Sequence, residues 1–242
     1  MIIMPSFMAD RVYNEICGKI KISIVDSLEY RFITSASILG MIHDNKYDLL
    51  GRSLTTINLE GIENLLSGIR ELERVEVYTT ADGVLHIDAD QRDPVMRVIT
   101  VYGNNYYIDR GGYVIPHRLT YTPRIIVVSG NIEVPDSCIL GKSILGLDEN
   151  SLMRKTFSLV EYINDDEFWN RLIEQIWINE KGEFELVPMV GDHIVKFGKS
   201  DNFEWKLNVL RVFYDETMPV AGWDRYDEID MRFNGQLVCR KK

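Results

Sequence analysis

Three short stretches of the first ninety residues alternate apolar and polar side chains, as half-buried β-strands do. The alternating apolar residues are Ile20, Ile22 and Ile24 in the first stretch, Val75 and Val77 in the second, and Leu85, Ile87 and Ala89 in the third. Asp82-Gly83 separates the second stretch from the third and is a typical hairpin turn. The pattern therefore predicts one strand at the start of this region and a β-hairpin at its end.

Between these strands the apolar residues recur at helical spacing in two places. Thr34 or Ser35 can cap a short helix with Ile38, Leu39 and Ile42 on its inner face. Asn58 can cap a second helix, whose apolar stripe is Leu59, Ile62, Leu65, Leu66 and Ile69. The predicted order is β-α-α-β-β, and two helices on one face of a three-stranded sheet would bury both stripes.

Residues 91–130 are rich in β-branched and aromatic residues, interrupted by Gly and Asn. This composition is typical of antiparallel strands joined by tight turns. We expect strands over residues 95–102, 106–109 and 124–128, with a further short strand reaching Pro116. Together they would form an antiparallel meander that serves as a scaffold.

The remaining residues predict helices first and a hairpin last. Apolar residues at helical spacing indicate a helix over residues 152–163, a second capped by Asp165 or Asp166, and a third opened by an Asp201–Glu204 capping box and reaching Tyr214. Strands are expected over residues 175–179, 183–188 and 193–197. The chain ends in two alternating runs, residues 229–233 and 236–240, joined by Asn234-Gly235, which favours a terminal β-hairpin.

Charge and cysteine usage exclude several classes of function. The 242 residues carry 37 acidic and 27 basic side chains, a formal net charge of −10, which disfavours nucleic acids and anionic lipid surfaces as partners. Three cysteines, Cys17, Cys138 and Cys239, are too few and too scattered for a disulfide framework or a zinc knuckle. No apolar run approaches the roughly 18–20 residues of a membrane span.

Motifs of catalysis and cofactor binding are not found in the sequence. Gly141-Lys142-Ser143 resembles the end of a phosphate-binding loop, but Asp136 stands where that loop needs its first glycine. The four histidines lack metal-ligand spacing, and the acidic clusters fit helix capping and solvated loops better than paired catalytic carboxylates. We therefore expect no enzyme activity, no cofactor, no metal and no small-molecule substrate.

Several motifs in order resemble the FtsQ/DivIB family of bacterial cell-division proteins. The motifs are Gln91-Arg92-Asp93-Pro94-Val95-Met96-Arg97, Tyr106-Tyr107-Ile108-Asp109 with Gly111-Gly112, Ile115-Pro116, Val127-Val128-Ser129-Gly130, and the terminal Ile229-Asp230-Met231-Arg232-Phe233. The resemblance implies an α+β fold. A POTRA module (β-α-α-β-β) over residues 17–91 would precede a mostly antiparallel β-sheet domain with flanking helices over residues 92–242.

The resemblance also implies a binding site at the end of the chain. Members of the family offer their last strand as an open edge, to which the partner subunit FtsB adds a strand. Carried over by position, the contact residues are Arg232, Phe233, Asn234, Gly235, Gln236, Leu237, Val238 and Cys239. The helix expected over residues 203–214 would flank this edge, and Arg240-Lys241-Lys242 stands where some members carry an aromatic residue.

By the same resemblance we expect a non-enzymatic divisome scaffold that binds FtsB and FtsL and meets other divisome proteins through its POTRA module. It would lie on the periplasmic face of the inner membrane, with the family's N-terminal anchor missing from this chain. Two alternatives stay open at this point. One is a different POTRA-containing protein of outer-membrane assembly or secretion, and the other is an enzyme whose site is assembled from scattered acidic residues.

Overall fold

The computed structural model describes residues 15–25, 32–117, 122–233 and 235–242. These residues fall into two compact units that divide between Asp93 and Pro94. Asn234, part of the expected terminal turn and contact surface, lies outside the described residues.

The first unit has the predicted order of elements. They are β1 (Lys19–Val25), α1 (Ser35–Asp44), a 3-10 turn (Leu54–Thr56), α2 (Leu59–Ser67), β2 (Leu72–Thr80) and β3 (Val84–Gln91). In the three-stranded sheet β3 is central, parallel to β1 and antiparallel to β2. The α+β fold with an N-terminal POTRA module is therefore confirmed.

Capping hydrogen bonds explain where the two helices begin, and packing on the sheet explains which face of each helix is buried. The Thr34 hydroxyl accepts a hydrogen bond from the Ser37 amide, and the Asn58 side chain accepts one from the Gly61 amide. The buried residues of the helices pack on the inward side chains of β2 and β3 in one core. Leu39, expected on the inner face of α1, is exposed instead.

The second unit begins with strands and ends with strands. Its elements are β4 (Pro94–Thr100), β5 (Asn105–Asp109), β6 (Val114–Pro116), β7 (Ile126–Gly130), α3 (Asp136–Ile139), a 3-10 turn (Ile144–Gly146), α4 (Leu152–Asp165), α5 (Glu167–Leu172), β8 (Ile173–Ile178), β9 (Phe184–Pro188), β10 (Ile194–Gly198), α6 (Phe203–Val212), a π-helical turn (Phe213–Thr217), α7 (Met218–Ala221), β11 (Tyr226–Asp230) and β12 (Val238–Lys241). Helices α4 and α6 bury their apolar stripes in the same core as the sheet.

All of these strands join one nine-stranded sheet, in the order β12-β11-β10-β9-β8-β7-β4-β5-β6. Neighbouring strands are mostly antiparallel, as expected, but β7 is parallel to both β4 and β8, and β10 is parallel to β11. The expectation that β7 continues an antiparallel meander after β6 is therefore wrong. Between β7 and β8, and between β10 and β11, the chain forms helices, and such crossovers return the next strand in the parallel direction.

Helix α6 also departs from the expectation. Its N-cap residue is Asn202, which has a left-handed backbone (φ 55°) and makes no side-chain capping hydrogen bond. The predicted Asp201–Glu204 capping box does not form, because the N-cap is Asn202 and not Asp201. Asp201 Oδ1 accepts a hydrogen bond from Lys155 Nζ of α4 at 3.4 Å. The apolar stripe is nevertheless right, since Leu207, Leu210 and Tyr214 are buried.

Candidate partner-binding edge

Strand β12 lies at one end of the nine-stranded sheet. Its inner side pairs antiparallel with β11, where Val238 lies opposite Asp230, Cys239 opposite Ile229 and Arg240 opposite Glu228. Within the described residues no strand pairs with the outer side of β12. The sheet therefore ends in an edge made by the last residues of the chain.

Two backbone hydrogen bonds fix which groups of β12 face outward. Lys242 N–H donates to Arg225 O at 3.2 Å, so position 242 faces β11. The register of the pair shifts between Tyr226 and Glu228, opposite Lys241 and Arg240, and the extra residue lies in β11. Alternation along β12 itself is therefore uninterrupted, so Val238 and Arg240 also face β11 while Cys239 and Lys241 face outward. On the other side of β11, Met231 N–H donates to Lys196 O at 2.9 Å, which agrees with this assignment.

The expected contact residues are only partly in this strand. Arg232 and Phe233 follow the end of β11, Gly235, Gln236 and Leu237 lie in the connection, and only Val238 and Cys239 belong to β12. The predicted terminal strands were placed too late for β11 and too early for β12. The structure also places Lys241 in β12. Residues 237–241, Leu-Val-Cys-Arg-Lys, do not alternate apolar and polar side chains, so the sequence carries no periodic signal that would have extended the strand to it.

Arg232 is held by an acidic neighbour. Its Nε and Nη2 atoms donate to Asp230 at 2.9 and 2.5 Å, and the Arg232 amide donates to Asp230 Oδ1 at 3.0 Å. These hydrogen bonds lower the pKa of the buried Asp230 carboxyl below its usual value. Gly198 allows this arrangement, because a Cβ there would lie 2.9 Å from Arg232 Cγ. Arg232 thus has a fixed orientation beside the edge.

Alternating charges run across the last three strands on one face of the sheet. Glu228 of β11 pairs with Lys196 of β10 at 2.8 Å and with Arg240 of β12 at 3.4 Å. Asp227 Oδ2 accepts a further hydrogen bond from Arg240 Nε at 3.0 Å. Opposite charges on adjacent strands stabilise their register, so this row holds β12 against the sheet.

Apolar side chains next to the edge differ in their exposure. Phe233 is 54% exposed and Val238 is 46% exposed, while Leu237 and Cys239 are half-buried against the core. Burial raises the pKa of the Cys239 thiol, which keeps it in the neutral form. Phe233 and Val238 are therefore exposed apolar groups of this surface.

A final ion pair fixes the end of β12. Lys242 Nζ lies 2.8 Å from Asp192 Oδ2, in the turn before β10. The hydrogen bond from Lys242 lowers the pKa of Asp192. The last residue of the chain is thus paired with the loop before β10.

In the described part of the chain, no group of three or more His, Cys, Asp or Glu side chains is placed to hold a metal ion. In the Gly141-Lys142-Ser143 segment the Ser143 hydroxyl donates to Gly111 O at 2.6 Å. His193 is buried with Nε2 2.9 Å from the Tyr214 hydroxyl.

None of the described helices has the length and apolar character needed to cross a membrane.

Two family models match the chain, and they meet where the two units divide. Residues 93–240 match the model described as FtsQ/DivIB, C-terminal related, and residues 15–90 match a POTRA-like domain. No curated protein matches the chain. The FtsQ/DivIB family consists of membrane-anchored, non-enzymatic scaffolds with an extracytoplasmic part, which act through protein–protein interactions in cell division. Because the first model covers more than half of its residues, the chain belongs to the FtsQ/DivIB family.

Proposed function

We propose that this chain is a divisome scaffold that binds an FtsB/FtsL-type division protein by strand addition to β12. The observation that carries the proposal is the position of β12 at the end of the sheet, with the backbone groups of Cys239 and Lys241 directed outward. An extended partner segment can hydrogen-bond to such an edge, while side-chain contacts decide which segment is accepted. Septum formation on the periplasmic face of the inner membrane is the setting we propose.

Side chains beside the edge support the same proposal. Phe233 and Val238 offer apolar contacts, and Arg232 is oriented by Asp230 next to them. Exposed edges usually carry charge or twist that prevents uncontrolled pairing, and Arg240 and Lys241 provide charge here. We propose Arg232, Phe233, Asn234, Gly235, Gln236, Leu237, Val238 and Cys239 as contact residues, with Arg240 and Lys241 added from the structure.

We also propose that residues 17–91 and 92–242 act as two modules, the first of which meets other divisome proteins. The rival assignment to outer-membrane assembly or secretion predicts tandem POTRA modules. The division-family match over residues 93–240 favours the scaffold.

Titration calorimetry tests the proposal directly. The chain is titrated with a peptide from the ectodomain of the FtsB homologue encoded in the same genome. A chain truncated before Phe233 serves as the negative control. Saturable binding to the intact chain that vanishes on truncation is the expected result. No binding to the intact chain, with its fold verified by circular dichroism, would contradict edge docking.

Matched side-chain variants distinguish a specific binding site from non-specific hydrophobic association. Phe233→Ser and Val238→Ser each remove an exposed apolar group beside the edge, whereas Val220→Ser removes one that is 89% exposed at the end of α7. We expect the first two to weaken binding by about tenfold and the third to leave it unchanged. Equal effects of all three would argue against the proposed surface.

A further inference from the structure

A cleft of about 350 Å³ opens in the second unit between the first turns of α4 and α6. Its lining residues are Glu149, Arg154, Lys155, Ser158, Ser200 and Phe203. Two helix N-termini, each with partial positive charge, therefore meet at one small depression. None of these residues belongs to the proposed partner-binding edge.

Arg154 brings a guanidinium with an unsatisfied donor to this cleft. Its buried Nη1 atom has no hydrogen-bond partner among the described residues. The charge of Arg154 interacts with Glu161 of the same helix, which does not line the cleft. A buried donor without an acceptor costs stability, more so when it is charged. A hydrogen-bond acceptor bound in the cleft would therefore satisfy the Arg154 Nη1 donor.

Ser200 also lines the cleft. It is 7% exposed and carries a hydroxyl that can donate one hydrogen bond to a bound group. It lies just before α6, whose N-cap residue Asn202 is left-handed and gives the helix no side-chain cap. Uncapped first-turn N–H groups are a common binding place for anions.

The charges around the cleft indicate which anion fits. Lys155 is already paired with Asp201 at 3.4 Å, and Glu149 lines the opening. Arg154 makes no close ion pair in the described structure, and its charge interacts with Glu161 of α4. The planar guanidinium presents two parallel donors that match a carboxylate. A doubly charged phosphate would leave one charge uncompensated and face repulsion from Glu149.

We propose that this cleft is a binding site for a carboxylate group, held by Arg154 and Ser200 at the N-terminus of α6. The carboxylate belongs either to an acidic side chain of a partner polypeptide or to a small organic acid. Both sources share the same chemistry at the guanidinium. The site is separate from strand addition at β12, so either proposal can fail while the other holds.

Nuclear magnetic resonance on the full chain tests the site. The probes are acetate, its neutral isostere acetamide, inorganic phosphate, and an acetylated Gly-Glu-Gly amide with its Gly-Gln-Gly counterpart, all at matched ionic strength. We expect acetate or the Glu peptide to shift the Arg154 side-chain Nε–H and the Ser200 and Phe203 amides in a saturable way. Binding of the Glu peptide identifies a partner side chain, and binding of acetate alone identifies a small acid.

Variants decide whether the named residues form the site. Arg154→Gln is expected to weaken carboxylate binding by at least about tenfold, because charge-assisted hydrogen bonds are lost. Ser200→Ala should weaken it less, and Glu149→Gln should strengthen it by removing a repulsive charge. Arg171→Gln is the matched control, since this exposed arginine of α5 is paired with Glu167 at 2.7 Å. If Arg154→Gln does not fold, the opposite effects of Ser200→Ala and Glu149→Gln still decide.

Three results would overturn the proposal. The first is linear, non-saturating shifts with acetate and the Glu peptide. The second is identical shifts with the neutral acetamide and Gln peptide. The third is tighter binding of phosphate than of either carboxylate, which would replace the assigned ligand class.

Discussion

Gly130 is the last residue of β7, which pairs in parallel with β4 on one side and with β8 on the other. Its φ is +101°, and a Cβ there would lie 2.2 Å from Ile178 O and 3.0 Å from Ile178 N. Ile178 is its partner in β8, and Ile178 O also accepts from Asn131 N–H at 2.7 Å. Gly130→Ala therefore forces a methyl group into the backbone of a paired strand.

The size of the effect follows from two separable costs. A positive φ costs a residue with a Cβ roughly 1–2 kcal/mol, and overpacking against rigid neighbours costs about 1–3 kcal/mol more. We expect Gly130→Ala to lower the free energy of unfolding by about 2–5 kcal/mol. Gly103→Ala is the matched control, because Gly103 also has a positive φ (81°) but nothing lies within 4 Å of its added Cβ. Gly103→Ala should show only the cost of the positive φ.

Urea unfolding followed by tryptophan fluorescence measures this difference in the second unit. All four tryptophans, Trp169, Trp177, Trp205 and Trp223, lie in that unit, so unfolding of the first unit does not contribute directly. Losses of stability that agree within about 0.5 kcal/mol for the two alanine variants would contradict the predicted clash with Ile178. That value is the usual range for substitutions at surface sites without special contacts.

Three further predictions concern buried polar groups of the same unit. Asp230→Asn should cost about 1–2 kcal/mol at pH 7, because Arg232 loses a charged acceptor. The pKa of Asp230 is lowered in the folded chain, so its contribution is present above the unfolded value near 3.9 and is lost as pH falls through the folded pKa. Urea midpoints at pH 7 and pH 3 should therefore differ less for the variant than for the wild type. Burial lowers the pKa of His193, so the wild type should lose stability as pH falls below about 6.5, and His193→Gln should lose less over that interval. Tyr214→Phe, which removes the 2.9 Å hydrogen bond to His193, should cost about 1 kcal/mol in the same urea assay at pH 7.5, and no loss would mean that this bond contributes nothing.

Periodicity in the sequence predicted most elements because burial on one face fixes the spacing of apolar residues. Alternation at Ile20, Ile22 and Ile24 and helical spacing from Leu59 gave the correct elements. Strand direction was less accessible, since β7 reads as an ordinary β-rich run whether its neighbours are parallel or antiparallel. Its position between β4 and β8 depends on the helices that follow it in the chain.

Local motifs were reliable only where no distant residue competed for them. Thr34 and Asn58 cap their helices as expected, but Asp201 is drawn to Lys155, a residue 46 positions earlier in the chain. The cleft lined by Arg154 and Ser200 likewise brings together residues that are far apart in the chain, which spacing along the sequence could not reveal. For the terminal edge, the resemblance located the segment, and the register of β12 on β11 supplied the residues that face outward.

Amide hydrogen exchange at β12 tests the central claim of strand addition most directly. By the alternation that follows from the Lys242–Arg225 bond, the Val238 and Arg240 amides face β11, whereas the Cys239 and Lys241 amides face outward. On addition of a saturating FtsB-type peptide, we predict that exchange at Cys239 and Lys241 slows strongly. Exchange at Val238 and Arg240 should change much less. Unchanged exchange at Cys239 and Lys241 in the presence of bound peptide would contradict strand addition at this edge.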